Sequence, residues 1–236
     1  TLFLRDARGV ALTASGRVAL LEAKRILFHA GQFSERVHAA ASGLGGTLRV
    51  GFVGSTTYQV LPRLVSRFRE EYPGIELVLK EATSTSILRS LEEEVLDVGL
   101  IRTPLMSRGT ATLISLQEDR FVAALPRRNP LAAKQPLTLA DLAQERFVMY
   151  AQTEASGLHA AAMAACQTAG FLPRITQEAT QIQTVLALVE SGLGVALVPS
   201  IMRRFGSDKL VYSTLANYPN TTSIGIALAF SPHADG

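Results

Sequence analysis

The hydrophobic pattern of the chain changes its period near residue 47. From Thr13 to Ala41 it is helical: Ala19, Ala23, Ile26, Ala30, Phe33, Val37 and Ala40 recur at alternating steps of four and three, and Leu20 and Leu27 widen the stripe. Alanine dominates the stripe, so a second helix could approach closely. The pattern predicts a linker and dimerisation helix over 13–46; the alternative is an amphipathic helix lying on its own domain. "SGLGGT", Ser42 to Thr47, ends it with glycines suited to a helix C-cap and a hinge.

After Thr47 short apolar runs alternate with helical stretches, the mark of βαβ units around a mostly parallel sheet. "TLRVGFV" reads as a buried strand, followed by a helix with Leu61, Leu64, Val65 and Phe68 on one face and Pro62 in its first turn. "IELVLKE" is the next strand, "TSTSILRSLEEEV" a helix with hydroxyl residues at its N-cap, and "LDVGLIR" a strand that ends near Arg102. A second unit begins after "LISLQED" with "RFVAALP", a turn at Asn129–Pro130, the short helix "TLADLAQ" and the strand "RFVMY". It continues with the helix Ser156 to Ala169, a strand near Ile175 to Glu178, a helix carrying Val185, Leu188 and Val189, and the strands "GVALVP" and "KLVYSTL". The last strand, "TSIGIALAF", has no obvious place there and is expected to return to the first lobe. The lobes are accordingly placed at 49–122 plus 223–231 and at 123–222, which makes the fold class α/β and two-lobed.

A length of 236 residues agrees with two small lobes better than with one core. No run of about 18 uncharged apolar residues could span a bilayer. "TLFLRDARGV" lacks the order of a secretory signal, and the single Cys166 cannot form an internal disulfide; both point to a reducing cytoplasm. The net charge of +3 is unevenly placed. Residues 1–48 carry six basic and three acidic side chains, and the other 188 residues are balanced at 17 of each. The basic excess therefore marks the N-terminal end as the place to meet a polyanion.

Several stretches together resemble one family. "LFLRDARGVALTASGRVALLEAKRIL" is similar to the end of the winged helix-turn-helix and the start of the linker helix in LysR-type transcriptional regulators, while "LPRLVSRFREEYPGIEL", "LDVGLI" and "LVESGLGVALVP" resemble, in order, that family's effector-binding domain. The resemblance implies a two-lobed, periplasmic-binding-protein-like effector domain in a bacterial, cytoplasmic, homodimeric or homotetrameric regulator. It implies DNA, a small effector held between the lobes, and RNA polymerase as partners, with no membrane, no cofactor, no metal and no enzyme activity. Residues 1–12 resemble a remnant of the wing, so the groove-reading helices lie outside this sequence and this chain alone is expected not to read DNA sequence. Arg5 and Arg8 remain candidates for phosphate contacts.

The candidate site centres on "RVGFVGSTTYQVLP", Arg49 to Pro62. A phosphate-cradling loop would need a following lysine, which is absent. "GFVGST" is not a nucleophile elbow, and of His29, His38, His159 and His233 none has metal-ligand spacing; Ser55 with His159 is the one catalytic pairing left open. A seat for a carboxylate fits better: hydroxyl donors beside helix N-termini at the carboxyl edge of a sheet, with Arg102 able to form a charge-assisted pair. The resemblance carries the effector role to Ser55, Thr56, Ser84, Thr85 and Arg102 of the first lobe, and to Tyr150, Gln152, Ser156 and Leu158 of the second. The bland readings are N-caps for the hydroxyls, Thr57 and Thr85 above all, and a salt bridge for Arg102. "GFVGS…LPR" with the arginine after "VGLI" resembles members that respond to aromatic acids and their ring-cleavage products, such as benzoate or muconate. A solute-binding protein of a transport system is the alternative function, against which residues 1–48 speak.

Overall fold

The computed structural model describes residues 1–6, 9–42, 45–205, 207–218 and 223–232. Strands β1 (Phe3–Asp6) and β2 (Gly9–Leu12) form an antiparallel hairpin that leads into helix α1 (Ala14–Ser42). Thr13 caps this helix, its Oγ1 accepting from the Gly16 amide at 2.9 Å. Gly16 is required here, because a Cβ would lie 2.0 Å from the Leu2 carbonyl oxygen. Among the described residues the apolar stripe of α1 is largely uncovered: Ile26, Leu27 and Phe33 are 67, 72 and 70% exposed. The helix touches its own first lobe through polar groups instead, with Arg25 and His29 reaching residues 92 and 94. The predicted linker "SGLGGT" includes residues 43 and 44, which lie outside the described residues.

Lobe I is a five-stranded sheet. Its strands β3 (Thr47–Phe52), β4 (Glu76–Glu81) and β5 (Val98–Thr103) are parallel, joined by helices α2 (Val60–Glu71) and α3 (Ser84–Glu92). Strand β6 (Thr112–Asp119) then ends the first pass through the lobe. Lobe II follows with β7 (Phe121–Pro126), β8 (Leu137–Thr138), β9 (Arg146–Tyr150), helix α4 (Ser156–Thr168), β10 (Arg174–Ala179), helix α5 (Ile182–Glu190), β11 (Ala196–Pro199), β12 (Leu210–Ser213) and β13 (Leu215–Ala216). The final strand β14 (Ile224–Phe230) returns to lobe I and inserts between β5 and β6, antiparallel to both, giving the order β4-β3-β5-β14-β6. In lobe II, β7 lies between β11 and β12, β9 pairs in parallel with β10, and a bridge from Phe147 to Val195 links these two groups. The stretch "TLADLAQ" forms a single 3₁₀ turn, Ala140–Leu142, rather than a helix.

Each lobe has its own core, and the hydrophobic runs explain why. β7 is buried at every position, as a strand covered on both faces must be. It packs with Phe147, Val185 and Val189 in lobe II, where Cys166 is fully buried and its thiol is pushed up to about 12 by that burial. In lobe I, Ile87, Leu88 and Leu91 turn one face of α3 onto β3 and β5. The helix sits close because the strands carry glycines beneath it: a Cβ at Gly99 would lie 2.4 Å from Ile87 Cγ2, and one at Gly51 would lie 3.1 Å from Ile87 Cγ1. The lobes meet at the crossing from β6 to β7, where Asp119 Oδ1 accepts from Ser200 Oγ at 2.5 Å and from the Ser200 amide at 3.1 Å.

This close seating makes Gly99→Ala an overpacking substitution, expected to cost about 1–3 kcal/mol in urea unfolding. Combining it with Ile87→Ala, which removes the Cγ2 that the new methyl would meet, should cost less than the sum of the two single losses, because the two positions share one contact. Additive losses would show that Ile87 does not press on Gly99.

Candidate functional site

The cleft between the lobes is built from the carboxyl ends of β3 and β5 and from the starts of three helices. After β3 the chain does not enter α2 directly but makes a 3₁₀ turn, Gly54–Tyr58. In that turn Thr56 Oγ1 donates to the Val53 carbonyl at 2.7 Å and Thr57 Oγ1 donates to the Gly54 carbonyl at 2.6 Å. Both hydroxyls are consumed by the backbone. Thr57 is therefore not a cap of α2, whose N-cap is Gln59 with no side-chain bond. Ser55 alone of the three turns its hydroxyl to the cleft, 9% exposed, where its Oγ accepts from Arg102 Nη2 at 2.7 Å. That leaves the Ser55 O–H free to donate.

Arg102 lies one residue before the end of β5 and is 7% exposed. Its amide donates to Ser84 Oγ at 3.0 Å, and its Nε is buried with no partner among the described residues. Among the described residues no carboxylate forms an ion pair with it, so the expected inter-lobe or surface salt bridge is not what holds it. Burial pushes its pKa below the ordinary arginine value, while the nearby Tyr150 and Asp119 act in the opposite direction without overcoming it. A buried guanidinium in this position carries a desolvation cost that an incoming anion can relieve.

Three helix N-termini face the same space. α3 is capped by Thr83, whose side chain accepts from the Ser86 amide, so the cap is neither Ser84 nor Thr85. Ser84 and Thr85 line the cleft, and so do Ser156 and Leu158 at the start of α4. α4 and α5 have no side-chain cap, their N-cap residues being Ala155 and Gln181, which also line the cleft. Their free N–H groups add partial positive charge to a space that Arg102 already makes positive. Gly157 lets α4 approach lobe I: a Cβ there would lie 1.7 Å from the Pro104 carbonyl oxygen.

Three of the expected site residues lie elsewhere. Thr56 is 1% exposed in its turn; Tyr150 is 1% exposed in the core of lobe II, where it stacks on Phe121 and donates its hydroxyl to the Leu197 carbonyl at 3.0 Å. Burial of that hydroxyl raises its pKa. Gln152 is exposed in the following turn and does not border the cleft. His159 Nδ1 sits 2.7 Å from the Tyr150 carbonyl oxygen, bonded there and not to Ser55. The residues that sequence reasoning missed are Thr180 and Gln181, for which the polar run "ATQIQ" just before a helix was the available signal, together with Pro104 and Glu154. Of the N-terminal arginines, Arg5 is exposed on β1, and Arg8 lies outside the described residues. No helix among the described residues is long and apolar enough to cross a membrane, and no group of His, Cys, Asp and Glu among them could hold a metal ion.

Two α/β lobes crossed by a double connection, with a cleft at the sheet edges lined by both polar and apolar groups, define a two-lobed ligand-binding domain. Residues 41–233 match the family model of the LysR substrate binding domain, and the chain belongs to the LysR family of transcription regulators. It is 35% identical over 213 residues to the HTH-type transcriptional regulator AlsR of Bacillus subtilis (strain 168), covering 90% of this chain and 70% of AlsR. The effector binding domain of BenM in complex with its effector benzoate superimposes with a TM-score of 0.68 at 26% identity, covering 80% of this chain and 85% of that one. Full-length CbnR, a LysR family regulator, shares the fold over 94% of this chain and 76% of its own, with a TM-score of 0.74 at 23% identity. These relatives are named as regulators, so the solute-binding alternative is not favoured.

Replacing Arg102 with Met removes a buried cation that no described carboxylate neutralises. The variant is expected to unfold with unchanged or greater stability, by up to about 3 kcal/mol. A loss of similar size in denaturant titration would show that Arg102 holds the fold together rather than waiting for a ligand.

Proposed function

We propose that the cleft binds a small organic acid and that its occupancy sets the arrangement of the regulator on DNA. The observation that carries this reading is the Arg102 guanidinium, buried beside Ser55 at the edge of the cleft with an unpartnered Nε. Such a group is stabilised most by a carboxylate, which accepts from it in two places and accepts from the Ser55 hydroxyl as well. Ser84 and Thr85, with the uncapped starts of α4 and α5, supply further donors from both lobes, so a bound acid is bonded from both sides and favours their closure. Lining residues such as Val53, Ala82, Leu105 and Leu158 offer the acid's carbon skeleton an apolar wall.

The structural relative BenM takes benzoate, an aromatic acid, and we assign the same chemical class to this cleft. The exposed stripe of α1 is the surface on which homodimers, and through them homotetramers, form. The regulator works in the cytoplasm, with DNA and RNA polymerase as its macromolecular partners. A coupling of about 1–3 kcal/mol between cleft and DNA is enough for such control.

A thermal-shift screen of carboxylates tests this directly, since a ligand stabilises by RT ln(1 + [L]/Kd), about 2.7 kcal/mol at a hundredfold excess over Kd. Benzoate and related aromatic acids are expected to raise Tm. Ser55→Ala should weaken the bound acid by roughly tenfold, the worth of one charge-assisted hydrogen bond, and Arg102→Met should abolish the shift. Shifts with sugars or uncharged amides, but with no acid, would overturn the assignment.

A further inference from the structure

Helix α3 touches two places that matter. Its first turn borders the cleft, where Thr83, Ser84 and Thr85 line the space and Ser84 Oγ accepts from the Arg102 amide. Its other end holds the linker helix. Arg25 Nη2 donates to the Glu92 carbonyl at 3.2 Å, and His29 Nε2 lies 2.6 Å from Glu94 Oε2. Glu92 is the last residue of α3, so Arg25 meets a carbonyl that the helix itself leaves unpaired, at the negative end of its dipole. Glu94 adopts a left-handed backbone, with φ of 55°, in the turn that follows. Between these groups on α1, Phe28 lies under the Arg49 guanidinium of β3 at 5.3 Å. Positions 25, 28 and 29 share one face of α1, by the three- and four-residue spacing of a helix. The contact is thus a single clasp rather than scattered touches.

α3 is also well suited to carry a displacement from one end to the other. Nine residues span about 14 Å at 1.5 Å per residue, short enough to move as one piece. Ile87 and Leu91, 0 and 1% exposed, are seated over glycines in β3 and β5, so the helix cannot flex where it passes over the sheet. A shift of its first turn must then appear at Glu92 and Glu94.

We propose that α3 is the strut that couples the cleft to the linker helix, with Ser84 as its sensing end and the clasp of Arg25 and His29 on Glu92 and Glu94 as its output. A ligand that draws Arg102 and Ser84 together re-seats α3, and the clasp changes the angle at which α1 leaves the lobe. The coupling runs both ways: whatever fixes α1 on lobe I also changes ligand affinity. The ligand arm of this inference rests on the cleft being the acid site; the strut itself does not.

Hydrogen exchange read by mass spectrometry separates the two. In the absence of any acid, Glu94→Ala or His29→Ala should speed exchange in residues 24–30 and also, at the far end of α3, in residues 83–86. Ser84→Ala should speed exchange in residues 24–30, although among the described residues the hydrogen bond of its hydroxyl is to Arg102 and not to α1. Changes confined to the mutated end would overturn the strut. With benzoate as the probe, the wild type should show protection at both ends, and Glu94→Ala should change the benzoate Kd at least threefold. An unchanged Kd also contradicts the proposal. Absence of benzoate binding to the wild type counts against the acid site, while the exchange of the unliganded variants still decides the strut.

Discussion

A buried positive charge that no described carboxylate neutralises is the constraint around which this domain is arranged. The Arg102 guanidinium is nearly inaccessible to water, is held by the Ser55 hydroxyl, and keeps its Nε free of any bond. Protein interiors rarely tolerate such a group, because the hydration given up must be replaced by something. Here the partial replacements come from neighbouring dipoles, and the proposed function assigns the remainder to an anion. The uncapped starts of α4 and α5 make sense in the same terms: they are donors kept open on the facing lobe.

The two-lobed fold follows from how that charge has to be approached. A strand end places Arg102 at the sheet edge, and the crossing of β6 into β7 and the return of β14 set a second lobe opposite it. Close seating at Gly157 against Pro104 brings α4 to the cleft without a side chain in between. The bonds between Asp119 and Ser200 tie the two lobes together at the crossing point.

Much of this was legible in the chain. The change from helical to strand-and-helix periodicity near residue 47, and the family resemblance of "LDVGLI" and "LVESGLGVALVP", led to the fold, and the final strand was readable as one with no partner in the second unit. Ser55, Ser84 and Arg102 were readable because strand ends and helix starts in such folds meet at one edge. Tyr150 and Thr56 were not, because both are polar groups at the right edge that spend their hydrogen-bonding capacity on backbone carbonyls, Leu197 and Val53. Sequence patterns show which side chains are near a site, while which carbonyl lies behind them depends on packing. The capping of α3 by Thr83 instead of Ser84 or Thr85 is the same lesson at one-residue scale, since three adjacent hydroxyls offer the helix a choice that only its exact start decides.

The proposed acid site requires that Arg102 meet the ligand itself. Arginine side-chain NMR of the ¹⁵N-labelled protein, titrated with benzoate, observes that meeting directly. The Arg102 Nε–H resonance, assigned by its loss in Arg102→Met, should shift on titration and exchange more slowly with water once the acid is bound. Saturable acid binding that leaves this resonance unmoved would contradict the account.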